Sequence, residues 1–414
     1  MTDERAWQRP FFIIWSGQTL SLVGSALVQF ALIWWLTEEA GSATALATAS
    51  LVGLLPQVIL GPVIGTLIDR WRRRWTMAIA DGAIALCTAL LAALFWWGTI
   101  EPWHIYVLLF LRALGTAFHD PAMTASTSLM VPQEHLTRVA GLNQIRGSVT
   151  QMGGPVLGAL LVTLFPIQGV LAIDILTALL AVVPLLFIDV PQSPVAESQA
   201  TAPGRGWSSV IQETRQGFHY LWSWRGLFIL TVSVSLIPFF GMPAVSLVPL
   251  LIKDHFVGGP AAWGWYSVLE HIGVLAAGLL LSAWGGFRRR FVMLMASAIL
   301  FGLGAIVQGL TPASSYGLFL AATLLAGFAA AIFFASVRAL MQSVIPPEIQ
   351  GRVFSLQNSL LWSAGPLGLA IIGPLADVIG VQSPLLMRGV ASLIVALIWA
   401  LSPSVRRIED GQSK

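Results

Sequence analysis

The sequence predicts an all-α membrane protein with twelve transmembrane helices, arranged as two related halves of six helices each. Composition is the first reason: of 414 residues, 56% are hydrophobic and 10% are charged, and the mean hydropathy is +0.80, which is far too apolar for a soluble domain of this length. The second reason is a series of long apolar runs. The third is an internal repeat, in which the segment from Val131 to Gln144 returns in blurred form from Ile345 to Asn358.

The apolar runs number six in each half of the chain. A helix rises about 1.5 Å per residue, so roughly 20 residues cross the ~30 Å of hydrocarbon in a bilayer. Lipid satisfies no backbone group, and the runs lack the alternation of a barrel strand, so each run is predicted to be a helix. The predicted spans are 11–36, 43–68, 75–97, 103–130, 137–165, 168–188, 226–252, 262–284, 291–310, 315–343, 352–378 and 384–402.

The repeat relates the two halves at a nearly constant offset. Val131 and Ile345 are 214 positions apart, and the arginine cluster 72–74 recurs 216 positions later as 288–290. Two similar membrane halves that meet around a central site are the architecture of many secondary transporters. The predicted domains are therefore two six-helix bundles, residues 1–188 and 226–414.

A cytoplasmic linker, residues 189–225, is predicted between the bundles. Its first part is rich in Pro, Ser, Ala, Gly and Gln, which is typical of a flexible linker. From Trp207 to Trp224, aromatic and apolar residues recur at helical spacing. This pattern fits an amphipathic helix on the membrane surface and, equally, a solvated connector helix.

Arginine placement predicts the orientation, because short cytoplasmic loops retain positive charge. The arginines near both termini and in alternate loops fall on one side, so both termini are predicted to lie in the cytoplasm and the chain in the inner, cytoplasmic membrane. The net charge of +3 reflects this sidedness. A lipid bilayer is thus the expected partner, and no nucleic-acid partner is expected.

Several function classes are excluded or disfavoured. A single cysteine, Cys87, excludes an internal disulfide and a cysteine metal cluster, and no metal site is predicted. The chain lacks a G-x-x-x-x-G-K-[ST] phosphate loop, which removes ATP-driven transport by this chain alone. An enzyme is not predicted, because Glu270 and His271 lack the second histidine of an H-E-x-x-H site. A non-transporting receptor or scaffold is the alternative from another class.

The loop after the second span carries the residues that indicate a family. Gly65, Asp69, Arg70, Arg73 and Arg74 form a pattern that resembles the G-x-x-x-D-R-x-x-R-R signature of the major facilitator superfamily. Two further segments, 154–158 and 213–221, look like the macrolide-efflux and drug-proton antiporter branch of that superfamily.

The resemblance implies a fold and a function. The fold is two pseudo-symmetric six-helix bundles, and the function is efflux of hydrophobic or amphipathic small molecules by alternating access, driven by the proton gradient and without a cofactor. The chain is expected to work as a monomer. Lysophospholipid transport and siderophore export by the same fold are alternatives. The sequence departs from the family pattern at two places. Gly24 is followed by Ser25 where many relatives have an acid, and Arg112 to Gly115 is one residue shorter than the R-x-x-Q-G pattern.

The resemblance also gives the loop residues and one glycine motif a role. Asp69 and the arginines are expected to form a latch whose ion pairs differ between transport states, although the arginines would also be explained by topology alone. In span five, Gly154, Pro155 and Gly158 form a small-residue motif, which favours close helix packing in membranes.

Ionisable residues inside the spans are the candidates for proton coupling, since placing each one in the membrane costs several kcal/mol unless it is paired or hydrated. Arg112 and Glu270 lie near mid-membrane by position, and Arg112 shares a helix face with His119. The hypothesis is that Glu270 or Asp120 carries the proton, with Arg112 as its partner or as a contact for an anion. A permanently paired structural network is the alternative, and Asp81 and Asp174 favour it. The candidate coupling set is Glu270, Asp120, Arg112, His119 and His271.

Helix breakers and amides suggest where the substrate lies. The second half opens with a span that contains Phe239 and Phe240 between two prolines, which predicts a kink with an apolar wall. Together with Gln18, Gln29 and Arg112, these residues form the candidate substrate cavity. An apolar pocket with few polar anchors suits amphipathic drugs, although ordinary packing is the simpler explanation for any single aromatic residue.

Overall fold

The computed structural model describes residues 7–191, 218–287 and 289–409. Twelve long α-helices make up most of this part of the chain, and no β-strand occurs in it. The long helices are α1 Gln8–Ala40, α2 Ala43–Arg70, α3 Arg73–Trp97, α4 Pro102–Met130, α5 Leu136–Leu164, α6 Ile167–Phe187, α7 Arg225–Ser246, α8 Pro260–Trp284, α9 Arg290–Leu310, α10 Tyr316–Val344, α11 Pro347–Ile379 and α12 Ser383–Leu401. Shorter helical segments are Gln133–His135, 218–223, Val248–Asp254 and Pro403–Arg406.

The long helices follow the predicted spans closely, because each apolar run ends where polar residues or a helix stop begins. In the described residues, eleven of them are long and apolar enough to cross a membrane. The twelfth, α4, is 29 residues long, but His104, Arg112, His119 and Asp120 lower its hydropathy. The prediction of a twelve-helix, all-α membrane fold is confirmed.

The seventh span differs from its prediction. It was expected to run to residue 252, but α7 ends at Ser246 and a separate short helix, Val248–Asp254, follows. Pro249 lies in the first turn of that short helix, where its missing N–H cannot bond to the preceding turn. The helix continues through Pro238 and Pro243, so the interruption falls at Leu247 rather than within the phenylalanine pair.

Glycines in the left-handed conformation end several helices. Gly98 follows α3 with φ 68°, and its N–H donates to carbonyl groups of the last turn, while Gly285 follows α8 with φ 77°. Only glycine adopts this conformation without steric cost. These residues therefore set the sharp ends of two spans, directly before the loops that separate them from the next helix.

The chain divides into two compact units. The first is Met1–Gly41 with Thr48–Gly204, and the second is Ser42–Ala47 with Arg205–Lys414. In the first unit, α1 packs against α5 and α6, and α3 packs against α4 and α6. In the second unit, α7 packs against α11 and α12, and α9 packs against α10 and α12. The same four pairings thus occur in both units, as a duplicated sequence requires.

One helix pairing breaks this correspondence. In the second unit α8 packs closely along α10, whereas among the described residues α2 and α4 of the first unit make no comparable contact. The segment of the predicted linker from 192 to 217, with most of its expected amphipathic helix, lies outside the described residues.

Close crossings and aromatic packing hold each unit together. A Cβ added at Gly154 or Gly158 of α5 would lie 2.6 Å from Ala26 or 2.9 Å from Phe30 of α1, so these glycines let the two helices approach closely. In the second unit the rings of Phe333 and Trp399 stack with centroids 6.0 Å apart. The indole of Trp399 also donates to Ser233 at 2.7 Å, which satisfies its buried N–H.

Candidate functional site

A buried ion pair joins α4 and α6 in the first unit. The Arg112 guanidinium donates to Oδ2 of Asp174 at 2.8 Å, and the side chain of Asp174 is fully buried. Thr88 of α3 donates to the same oxygen at 2.8 Å, and Ser25 of α1 donates to Oδ1 at 3.2 Å. Arg112 also bonds to the Thr88 hydroxyl. One carboxylate therefore connects four helices of the unit.

This geometry corrects the predicted partner of Arg112. The sequence paired Arg112 with Glu270 or Asp120, but its ion-pair partner is Asp174, which the sequence analysis favoured as structural. Burial removes water from both charges, and such a pair is stable only when hydrogen bonds satisfy the remaining groups. Thr88 and Ser25 supply these hydrogen bonds. The pair fixes α6 against α3 and α4.

A second buried polar cluster lies on α1, α3 and α4. The amide nitrogen of Gln18 donates to Oδ2 of Asp81 at 2.8 Å, and its oxygen lies 2.8 Å from Nε2 of His119. Nε2 of His119 is also 3.5 Å from Oδ1 of Asp81. Each of the three residues is at most 5% exposed. Gln18 thus bridges a histidine and a carboxylate, and it does not line the cavity described below.

Asp120 lies at the accessible edge of this cluster. Its side chain is 53% exposed, and Oδ1 is 3.5 Å from Nδ1 of His119. Arg146 of α5 is close enough to interact electrostatically with Asp120, and its buried Nη1 has no hydrogen-bond partner among the described residues. Asp120 therefore differs from Asp81 and Asp174 in being accessible. The structure places the predicted pair of His119 and Asp120 together.

A cavity of about 370 Å³ lies in the first unit between α1, α2, α3 and α4. Gln29 and Arg112, two of the predicted cavity residues, line it. Arg112 is 7% exposed, so it forms part of the wall. The polar lining residues are Ser25, Gln29, Ser50, Gln57, Arg112 and Thr116, and the remainder are alanine, glycine, leucine and isoleucine. Among the described residues that line the cavity, Arg112 is the one with a charge.

The second unit contains a polar cluster around Arg388, which the sequence analysis missed. Arg388 of α12 is 3% exposed and donates to Oε1 of Gln308, whose amide nitrogen in turn donates to Thr323 at 2.8 Å. Its guanidinium lies over the ring of Phe301, 5.2 Å from the centroid. A signal was present in the sequence, because Arg388 lies 214 positions after Asp174, so both halves carry a charge at the same place in their sixth span.

Glu270, the predicted coupling acid, belongs to the same region of the second unit. It is half-buried on α8, shares a side-chain hydrogen bond with Tyr266 and interacts electrostatically with Arg388 and His271. Nδ1 of His271 lies 2.7 Å from the carbonyl oxygen of Ser267. Glu270 and His271 are neighbours in the sequence, and the structure adds Tyr266 and Arg388 to their surroundings, two residues that were not predicted from the sequence.

The position of Phe239 and Phe240 is fixed by the packing of α7 against α11. Phe239 and Phe240 are half-buried on α7, with ring centroids 5.0 Å apart in an edge-to-face arrangement. A Cβ added at Gly368 of α11 would lie 1.8 Å from the carbonyl oxygen of Phe239. The backbone at Phe239 is therefore in direct contact with α11, which fixes the position of this pair within its unit.

Two arginines of the predicted latch contact neighbouring helices. Nη1 of Arg73 donates to the carbonyl oxygen of Ala125 in α4 at 3.0 Å. Arg74 donates to the carbonyl of Leu186 in the last turn of α6 and to the carboxylate of Asp189. A cation is favourable at a helix C-terminus, so these contacts fasten the start of α3 to its neighbours. The side chains of Gly65, Asp69 and Arg70 lie outside the described part of the structure.

Comparison with known proteins gives matches along nearly the whole chain. The family model of the Major Facilitator Superfamily matches residues 14–254 and 239–414. Macrolide efflux protein A of Streptococcus pyogenes is 34% identical over 403 residues, which cover 97% of this chain and 98% of that protein. The multidrug efflux pump Tap of Mycolicibacterium fortuitum is 25% identical and covers 97% of each chain.

Solved structures share the fold at low sequence identity. A bacterial homologue of the human lysosomal transporter Spinster, in an inward-facing and unoccupied conformation, covers 100% of this chain and 99% of that one with a TM-score of 0.72 and 11% identity. A POT family transporter in complex with a thioalcohol-conjugated peptide covers 96% of each chain with a TM-score of 0.70 and 12% identity. At such identities the likeness concerns the fold alone.

Proposed function

We infer that this chain, which belongs to the Major Facilitator Superfamily, is an efflux transporter that carries hydrophobic or amphipathic small molecules of the macrolide and multidrug type by alternating access. The family resemblance predicted from the sequence is confirmed. The observation that carries the functional proposal is the similarity to Macrolide efflux protein A, because it extends over nearly the full length of both chains.

The geometry of the first unit supports an amphipathic cargo. The wall of its cavity combines apolar side chains with polar ones. Apolar walls bind hydrophobic surface without regard to direction, and the few polar groups orient the ligand. The ion pair of Arg112 and Asp174 holds the surrounding helices in place, so the wall is preorganised before the ligand arrives.

The energy source in this proposal is the proton gradient, and Glu270 carries the proton. Glu270 is half-buried and has a hydrogen-bond partner in Tyr266 and a nearby cation in Arg388. A carboxylate in such a place changes its proton affinity when its distance from the cation changes between states. A proton that crosses ~150 mV supplies roughly 3.5 kcal/mol, enough for a gradient of a few hundredfold in a neutral solute.

Orientation and assembly complete the proposal. The chain lies in the cytoplasmic membrane with both termini inside the cell, as the arginine distribution favours. It acts as a monomer and needs no bound cofactor. Its two duplicated units supply the two halves that alternating access requires.

Expression in a bacterial host that lacks its own drug pumps tests the function. Cells that carry the chain should accumulate less radiolabelled erythromycin than cells with empty vector, and a protonophore should abolish the difference. In energised inverted vesicles, erythromycin should release protons from the lumen. Equal accumulation with and without the chain would contradict macrolide efflux, and proton release by a siderophore or a lysophospholipid instead would assign one of the alternative cargoes.

A further inference from the structure

The cavity of the first unit results from a difference between the two halves of the chain. In the second unit, α8 and α10 cross at two glycines, Gly273 and Gly327. A Cβ at Gly273 would lie 2.1 Å from the carbonyl oxygen of Leu324, and a Cβ at Gly327 would lie 2.3 Å from that of Glu270. Both distances are far below any non-bonded contact, so these helices can touch only because neither position carries a side chain.

The repeat shows what occupies the same positions in the first unit. At the offset of 216 that relates the arginine clusters, Gly273 corresponds to Gln57 of α2, and at the offset of 214 that relates Val131 and Ile345, Gly327 corresponds to Ala113 of α4. Both Gln57 and Ala113 line the cavity. Side chains therefore stand where the other half has none, and among the described residues α2 and α4 make no crossing comparable to that of α8 and α10. The space that they leave open is the cavity.

The lining of this space selects the chemistry of a ligand. Gln29 and Gln57 each offer an amide donor and acceptor, and the hydroxyls of Ser25 and Thr116 do the same. A ligand hydroxyl donates and accepts in return, so it fits these side chains better than a group that can only accept or only donate. Arg112 adds donors but no free charge, because Asp174 neutralises it at 2.8 Å. An anionic ligand would have to compete with that buried carboxylate.

The size of the cavity limits what enters it. Its volume of about 370 Å³ is near the lower end of the range for ligand pockets, about 300–1,000 Å³. A macrolide-sized molecule cannot fit whole, but one of its ring substituents can. Resting on the efflux function proposed above, we propose that the cavity is a subsite that binds an uncharged, hydroxyl-bearing ring of the transported molecule, the size of a single sugar, while the apolar remainder lies outside it.

Gly53 offers a way to fill the subsite without disturbing the fold. It lines the cavity, and in the part of the chain that the structure describes, a Cβ at this position meets nothing within 4 Å. Leucine is also a much better helix former than glycine, so the Gly53→Leu variant should fold. Its side chain should occupy the part of the cavity in which the ring is proposed to bind. Gln57→Leu removes one amide at similar volume. Gly278→Leu is the matched control, because Gly278 is an exposed glycine of α8 that also has nothing within 4 Å and lies outside the cavity.

Binding of a macrolide with and without its neutral sugar to the purified full chain in nanodiscs tests the proposal. The probes, measured by equilibrium dialysis, are radiolabelled erythromycin, here the glycoside, and its derivative that lacks only the neutral sugar, so that the charged amino sugar is present in both. The unmodified chain and Gly278→Leu should bind the glycoside more tightly. Gly53→Leu should abolish this preference, and Gln57→Leu should weaken glycoside binding about tenfold, which corresponds to one lost polar contact. Both variants should bind the derivative as the unmodified chain does.

The outcomes separate this inference from the efflux function. If cells export erythromycin but Gly53→Leu binds the glycoside as well as the unmodified chain does, the subsite is refuted and efflux stands. If the purified chain shows the expected preference and Gly53→Leu abolishes it while cells export no macrolide, the subsite stands and the efflux proposal fails. Absence of any preference for the glycoside in the unmodified chain also refutes the subsite.

Discussion

Arg112 on α4 and Asp174 on α6 form an ion pair with a separation of 2.8 Å in the interior of the first unit, where Asp174 has no exposed surface. The hydroxyls of Thr88 and Ser25 complete the hydrogen bonding of the carboxylate. The pair has two consequences: it joins helices that are distant in sequence, and it presents a neutralised guanidinium to the cavity. Its contributions to stability and to transport can be separated by substitution.

Asp174→Asn should destabilise the chain strongly. The amide keeps the shape of the side chain but leaves the Arg112 guanidinium buried without a counter-charge, a change that typically costs about 3–5 kcal/mol. The midpoint of thermal unfolding in detergent should fall accordingly. Ser25→Ala is the control at the same site, because it removes a single hydrogen bond worth about 0.5–1.5 kcal/mol.

The double substitution Arg112→Met with Asp174→Leu should recover most of the lost stability, because replacing both buried charges by apolar side chains is often neutral or favourable. Drug efflux should not recover with it, since the cavity wall has lost its donor. A double variant that transports as well as the unmodified chain would show that Arg112 serves the fold alone.

The absence of a side chain should matter at Gly327, where α8 crosses α10, and not at Gly53, which lines the cavity of the first unit. Gly327→Ala places a Cβ 2.3 Å from the carbonyl oxygen of Glu270, so α8 and α10 must separate, at a cost of about 1–3 kcal/mol. Gly53→Ala meets nothing within 4 Å and should be neutral or stabilising by up to about 1 kcal/mol. Thermal unfolding of the two variants checks this contrast, and equal midpoints would contradict the close crossing.

The helices could be predicted from the sequence because each span is a local pattern of apolar residues with polar ends. The partner of Arg112 could not, because Asp174 lies 62 positions away in the chain and the contact depends on how the helices pack. Arg388 was missed because it lies early in its span and resembles a flanking charge. The cavity was missed although its cause was visible, since Gln57 and Gly273 are related by the repeat.

Site roles were harder to predict than site positions. His119 and Asp120 are neighbours in the sequence, but the bridge from Gln18 to Asp81 required knowledge of which faces of α1, α3 and α4 meet. The helical period predicts which residues share a face of one helix, but it does not predict which face of a neighbouring helix packs against them. The roles of Glu270 and Asp120 in coupling therefore stay predictions, and so does the latch at Asp69.

Arg74 should stabilise the first unit through α6 rather than through its exposed ion pair. Asp189 has a side chain that is 95% exposed, and such pairs contribute at most about 1 kcal/mol, so Asp189→Asn should hardly change the unfolding midpoint. Arg74→Lys keeps the positive charge that sets orientation but loses the second donor, which reaches the carbonyl of Leu186. It should lower the midpoint more than Asp189→Asn does, and the reverse order would contradict the role of the carbonyl contact.

Glu270→Gln should uncouple proton movement from drug binding. The amide can still bond to Tyr266, so the local packing of α8 persists, but it can neither bind nor release a proton at neutral pH. In inverted vesicles, drug-induced proton release should disappear, while the purified variant should bind the drug as before. Glu270→Asp, which keeps the titratable group on a shorter side chain, should retain part of the release.

Asp120→Asn is the comparison that makes this result specific. Asp120 is the other candidate acid, but its side chain is 53% exposed, so fewer protein groups surround it and a change of state alters its surroundings less than those of Glu270. Asp120→Asn should therefore keep proton release. If Glu270→Gln released protons normally and Asp120→Asn did not, the proton would be carried by the first unit, and the cluster of Asp81, Gln18 and His119 would become its path. If neither substitution changed the release, no carboxylate proposed for coupling would have that role.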